Sequence, residues 1–195
     1  MADNLKYRAI TVSGKIAVGT STLAKNLHDI LGWKYINVGD LQRQYDREQK
    51  RNENQKGATN RSDEHEQRME AMTKRVLTEE ENIIYEAWLA GFIAQGVEGV
   101  LKILLVCSED AVRIDRVANR DNISIDEAKH WLKQREEENT VKWKALYGNH
   151  EFWDPKSGFY DMVIDTYSSG PLQTVGKVLD KLGYKNGRDI LPKKG

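Results

Sequence analysis

Ala9-Ile10-Thr11-Val12-Ser13-Gly14-Lys15-Ile16-Ala17-Val18-Gly19-Thr20-Ser21-Thr22 is the stretch on which the reading of this chain turns. Its first four residues form a short β-branched run that stops at Ser13-Gly14, the pattern of a buried parallel strand. Downstream, Leu23, Leu27, Ile30 and Leu31 recur at helical spacing until Gly32 supplies a stop. The turn between strand and helix carries two glycines spaced as in the phosphate-binding pattern G-x-x-x-x-G-K-S/T. Such glycines let successive backbone N–H groups face inward as a cradle for phosphate oxygens, and the following helix adds its positive end. On this reading Gly14, Lys15, Ala17, Gly19, Thr20, Ser21 and Thr22 surround a polyphosphate, and the Ser21 hydroxyl ligates Mg²⁺. The pattern's lysine position holds Thr20, so Lys15 is the residue left to fold back over the phosphates. The competing reading is a glycine-bounded turn with no ligand.

Outward from this loop, Trp33–Val38, Asn82–Glu86, Leu101–Val106 and Met162–Ile164 are further short strand candidates, separated by helical patterns. Five strands alternating with helices predict an α/β fold with a doubly wound parallel sheet. Residues 40–75 are almost wholly polar, which fits either a solvated helical pair or a flap that packs fully only on a ligand. Ser108-Glu109-Asp110 is placed to cap a helix whose Arg113, Arg116 and Arg120 share one face. Ser124 and Glu127 form a capping box for the next helix, which carries Trp131, Leu132 and Arg135 toward Tyr147. These arginines read either as a solvated face or, given a phosphate loop on the same sheet, as a lid that clamps a phosphoryl group. Glu86, at the end of a strand, either positions a Mg²⁺-bound water or faces solvent. A terminal helix with Leu172, Val175, Val178, Leu179 and Leu182 on one face ends at Gly183.

Length and composition bound the rest. The 195 residues suit one core, predicted as a single domain over 1–184 followed by a basic tail at 185–195. Thirty basic residues balance thirty acidic ones, which argues against non-specific nucleic-acid binding. The lone Cys107 excludes an intramolecular disulfide and favours a reducing, cytoplasmic setting. No apolar stretch reaches the length of a membrane span, and Met1–Asn4 opens no apolar leader, so no membrane association is expected.

The chain resembles the cytidylate kinases of the short archaeal type. The resemblance rests on Ile10–Gly19, Gly39-Asp40-Leu41-Gln42-Arg43, Leu89-Ala90-Gly91-Phe92, Val112–Asp121 and Tyr160–Thr166, and runs from about Tyr7 to Leu182. It implies a nucleoside-monophosphate kinase with a P-loop five-stranded parallel sheet, a helical monophosphate-binding flap at about 40–75 and an arginine-rich lid at about 113–147. It also implies ATP-dependent phosphoryl transfer to CMP or dCMP by a protein expected to be monomeric. Gly14, Gly19, Thr20 and Ser21 are then expected on the phosphates of ATP and on Mg²⁺. Arg116, Arg120, Arg135 and Lys15 are expected to stabilise the migrating phosphoryl group. Asp40, Arg43, Trp88, Lys142 and Asp165 are the expected acceptor contacts. The family's arginine in Arg-Leu-Ala-Gly is Trp88 here, its Arg-Tyr pair is Lys142-Trp143, and an expected aspartate is His150. These departures motivate two alternatives: a non-catalytic nucleotide-binding protein on the kinase fold, and a kinase with a changed acceptor. The discriminator is whether Arg43, Arg116, Arg120 and Arg135 face one cleft.

Overall fold

The structure, a computed structural model, describes residues 5–49 and 61–184; the expected basic tail and residues 50–60 of the expected flap lie outside these. Strand β1 (Ala9–Gly14) is buried along its whole length and forms the centre of a five-stranded sheet. The other strands are β2 (Lys34–Asn37), β3 (Ile83–Glu86), β4 (Val100–Val106) and β5 (Met162–Asp165). Their order is β2-β3-β1-β4-β5 and every pairing is parallel. Successive strand residues alternate faces. Ile84 joins Leu23 and Leu27 of α1 (Thr20–Leu31) and Val178 and Leu179 of α7 (Pro171–Leu182). Ile83 and Tyr85 pack on the other face against Val76 and Leu77 of α3 (Asp63–Glu79) and Ala90 of α4 (Ala90–Ile93). Each such fully buried side chain contributes about 1.5–3 kcal/mol. The buried Tyr85 hydroxyl is satisfied by Thr73 Oγ1 at 2.8 Å.

The polar segment after β2 folds as α2 (Val38–Glu48) and α3. Val38, expected in a strand, instead opens α2 because the Asn37 side chain accepts the Asp40 N–H and caps the helix there. The helices α5 (Asp110–Asp121) and α6 (Ile125–Tyr147) carry the arginines, and α6 starts on the expected Ser124–Glu127 capping box. Ser108 does not cap α5. Its hydroxyl donates to Asp165 Oδ2 at 2.8 Å, and Glu109 takes the N-cap position without a side-chain bond. No helix among the described residues is long and apolar enough to cross a membrane.

Candidate active site

Beyond the carboxyl ends of β1 and β3 lies a cleft of about 820 Å³, within the size range of small-ligand sites. The whole Gly14–Thr22 loop lines it. A Cβ at Gly14 would stand 2.5 Å from Val18 Cγ2 and 2.8 Å from the Leu105 carbonyl, so only glycine lets the loop turn this tightly. Gly19, at φ 96°, leads into α1 without a side-chain cap, leaving the helix's first N–H groups to a ligand. Two carbonyls of the loop are turned outward by arginines of α5. Arg113 Nε donates to the Ile16 carbonyl and Arg116 Nη1 to that of Ala17, each at 3.0 Å. Arg113 is itself buried and ion-paired with Asp110 and Glu136, so the loop's outer wall is braced across α5 and α6.

On the opposite side Ser21 Oγ donates to Glu86 Oε1 at 2.6 Å, and the Tyr35 hydroxyl donates to Glu86 Oε2. Burial, and then the bond to Glu86, push the Tyr35 hydroxyl far above its ordinary pKa, so it remains a donor. Glu86 is buried, which removes the reading of it as a solvent-facing carboxylate.

Arg43, Arg116, Arg120 and Arg135 all line this cleft. Arg120 and Arg135 lie over the Trp131 ring, 5.8 and 5.2 Å from its centroid. Burial first, and then the charges of Arg61, Arg43 and Arg120, bring the Arg135 pKa down to about 10. Its buried Nε has no hydrogen-bond partner. Arg120 gives Nε and Nη2 to the Asp121 carboxylate at 2.7 and 2.8 Å and Arg43 pairs with Asp40, so the unfilled guanidinium donor in the cleft wall is that of Arg135, a group suited to an anion.

A smaller cavity of about 90 Å³ adjoins the cleft, sharing Gly39, Ala87, Trp88 and Arg135 with it. Arg61 and Glu66 line this cavity and were not anticipated. Arg61 is buried, with Nε and Nη2 on the Asp46 carboxylate at 3.2 and 2.7 Å.

Residues 9–168 match the cytidylate kinase-like family. The chain belongs to that family. The cytidylate kinase of Methanothrix thermoacetophila is 34% identical over 157 residues, covering 80% of this chain and 87% of the relative. Among solved structures, an uncharacterized protein from Eubacterium ventriosum superposes at a TM-score of 0.68 with 14% identity, covering 91% of this chain and 99% of that one. The shikimate kinase from Bacteroides thetaiotaomicron gives 0.55 at 14% identity, covering 90% and 98%. At that identity the likeness speaks for the fold alone, a P-loop kinase sheet.

Family membership does not put every expected contact in the cleft. Lys15 lines it, with its ammonium 3.7 Å from Glu136 Oε2 and over the Trp153 ring. Arg116 gives Nη1 and Nη2 to the carbonyls of Ala17 and Thr166 and to the Thr166 hydroxyl, so it braces the loop rather than presenting a free fork. Lys142 lines neither cavity. It ties the Arg61 carbonyl and the Asp63 carboxylate, joining α6 to α3. Asp165 lines neither cavity and accepts from Ser108 and from the Tyr167 N–H, which shapes the turn into α7. Asp40 is exposed and pairs with Arg43. Trp88 stands between the two cavities, edge-on to Trp143 and Trp153. His150 packs among Phe92, Phe152 and Phe159, away from the loop.

Proposed function

We propose that this protein transfers the γ-phosphoryl group of ATP to a nucleoside monophosphate, CMP or dCMP, giving ADP and the diphosphate. The observation that carries this reading is the meeting of Arg43, Arg120 and Arg135 with the phosphate loop around one cleft. The loop's N–H groups hold the ATP phosphates, while Arg113 and Arg116 keep the carbonyls of Ile16 and Ala17 turned away. Arg43 holds the acceptor phosphate at the mouth of α2. An oxygen of that phosphate forms a bond to the γ-phosphorus as the bond to the β–γ bridging oxygen breaks. The acceptor oxygen is already anionic, so no general base is required. Arg120 and Arg135 stabilise the charge on the migrating group and replace the loop lysine that Thr20 lacks.

The donor set also fits Mg²⁺. Among the described residues no cluster of three His, Cys, Asp or Glu is arranged for a metal. Mg²⁺ typically uses one or two protein oxygens with waters and substrate phosphates. Ser21 Oγ would be its hard oxygen ligand, with the Glu86 carboxylate 2.6 Å from that hydroxyl to orient the ion's waters. Bound Mg²⁺ supplies charge neutralisation across the β- and γ-phosphates. In this reading residues 1–184 act as one domain, with α2 and α3 as the flap and α5 and α6 as the lid that excludes water. The protein acts as a monomer, and its single cysteine suits the cytoplasm.

A coupled ADP-release assay with Mg-ATP against CMP, dCMP, UMP, AMP and GMP tests this. Turnover stimulated by CMP or dCMP above a no-acceptor control is expected. ATP binding without turnover on any acceptor would overturn the catalytic reading.

A further inference from the structure

We infer that Glu66 reads the acceptor base, accepting a hydrogen bond from the 4-amino group of cytosine in the small cavity beside the cleft. The inference deepens the phosphoryl-transfer reading and rests on it for where the acceptor lies. Glu66 is 6% exposed, on the first turns of α3. Its Oε2 accepts from Trp143 Nε1 at 3.4 Å. Its Oε1 has no hydrogen-bond partner, although Arg61 Nη1 stands 3.9 Å away. Arg61 directs its two shorter bonds to Asp46, so it leaves this oxygen unfilled. A buried carboxylate oxygen without a donor is costly, and a ligand N–H relieves that cost.

The cavity's shape agrees. Trp88 and Trp143 wall it with aromatic surface, and about 90 Å³ has room for one ring but little more. It opens beside Gly39 and Arg135, at the end of the cleft where Arg43 lies. A monophosphate held by Arg43 therefore extends its base toward Glu66. Cytosine offers an amine to this carboxylate, whereas uracil offers the C4 carbonyl, one acceptor against another. Sites built to pair a polar group reject analogues that leave it unpaired much more strongly than apolar pockets reject a missing methylene.

The test is calorimetric binding of CMP, UMP and the monophosphate of pyrimidin-2-one riboside, which has hydrogen at position 4, each to the full-length protein. The expected order is CMP, then the pyrimidinone, then UMP, with CMP at least about 100-fold tighter than UMP. Glu66→Gln should shrink the CMP-to-UMP ratio at least tenfold, because a rotated amide donates to the uracil carbonyl. Glu64→Gln, an exposed neighbour on the same helix, should leave the ratio unchanged. Equal affinities for the three ligands on the wild type, or an E66Q variant that weakens CMP and UMP alike, would overturn the assignment. The three-ligand order needs no variant, so equal affinities overturn the assignment even if E66Q fails to fold, and Glu70→Gln, at the other carboxylate lining the cavity, should leave the CMP-to-UMP ratio unchanged. Because binding is read without turnover, a base preference in a protein that turns over no acceptor would sink the kinase reading and leave Glu66 standing.

Discussion

At Arg135 the chain keeps a guanidinium beside three others, and the fold depresses its pKa to about 10. An unfolded arginine titrates well above this, so folding disfavours the charged form. By linkage, this group destabilises the fold in full at every pH below about 10, and the penalty fades as pH rises from there toward the ordinary guanidinium range. The size of the effect is on the order of 3 kcal/mol at most. Arg135→Met fills similar volume without the charge. It should raise the melting midpoint by several degrees while lowering kcat about 100-fold or more. Paired thermal melts and steady-state rates check both halves; a lower midpoint with unchanged kcat would mean that the charge is neutralised and idle. Arg135 was legible because arginines on helices that follow a phosphate-loop pattern stand out. Glu66 was not, for a physical reason: it follows Asp63 and Glu64 in the first turns of α3, where acids are expected simply to face the helix dipole. Nothing in a charged, weakly apolar helix says which turn faces inward.

At the scale of elements, the loop and its helix make separable demands on glycine. A Cβ at Gly14 meets the Leu105 carbonyl at 2.8 Å, and because that atom is backbone in the neighbouring strand, the loop rather than the strand must move. Gly32 ends α1 at φ 66°, and a methyl added to it would have nothing within 4 Å, so a side chain there meets only backbone strain. Gly14→Ala should therefore abolish the rise in melting midpoint that ATP gives the wild type. Gly32→Ala should lose about 1 kcal/mol of stability and keep that rise intact. Differential scanning fluorimetry with and without Mg-ATP separates the two; an undiminished ATP response in G14A would show that the loop does not hold the polyphosphate. The strands themselves were readable because parallel strands buried on both faces appear as short apolar runs, as Ile103–Val106 does within β4. Element ends were less so. Asn37 and Ser108 each choose among several nearby backbone and carboxylate partners, and only the assembled sheet brings Asp165 beside Ser108. Local sequence carries no signal for a partner that lies more than fifty residues away.

Across the whole molecule, the two halves of the cleft are coupled by contacts between α3 and α6. Lys142 of α6 binds the Arg61 carbonyl and Asp63 at the start of α3, and Trp143 reaches Glu66. Arg135 on the same helix lines both cavities. An acceptor that fills the smaller cavity thus touches the helix that carries Arg135, and its phosphate relieves the repulsion between Arg135, Arg43 and Arg120. A ligand spanning both ends should gain from this twice, since it also loses translational freedom only once. A molecule joining adenosine to cytidine through five phosphates should raise the melting midpoint well above the shift from ATP and CMP mixed at the same concentrations. At 100 times its Kd such a ligand stabilises by about 2.7 kcal/mol. The excess over the mixture should shrink in Arg135→Met, which has no repulsion to relieve, and should be weaker when uridine replaces cytidine if Glu66 reads the base. A spanning ligand that shifts the midpoint no more than ATP alone would place the acceptor outside this cleft, and with it would fall the coupling through α3 and α6.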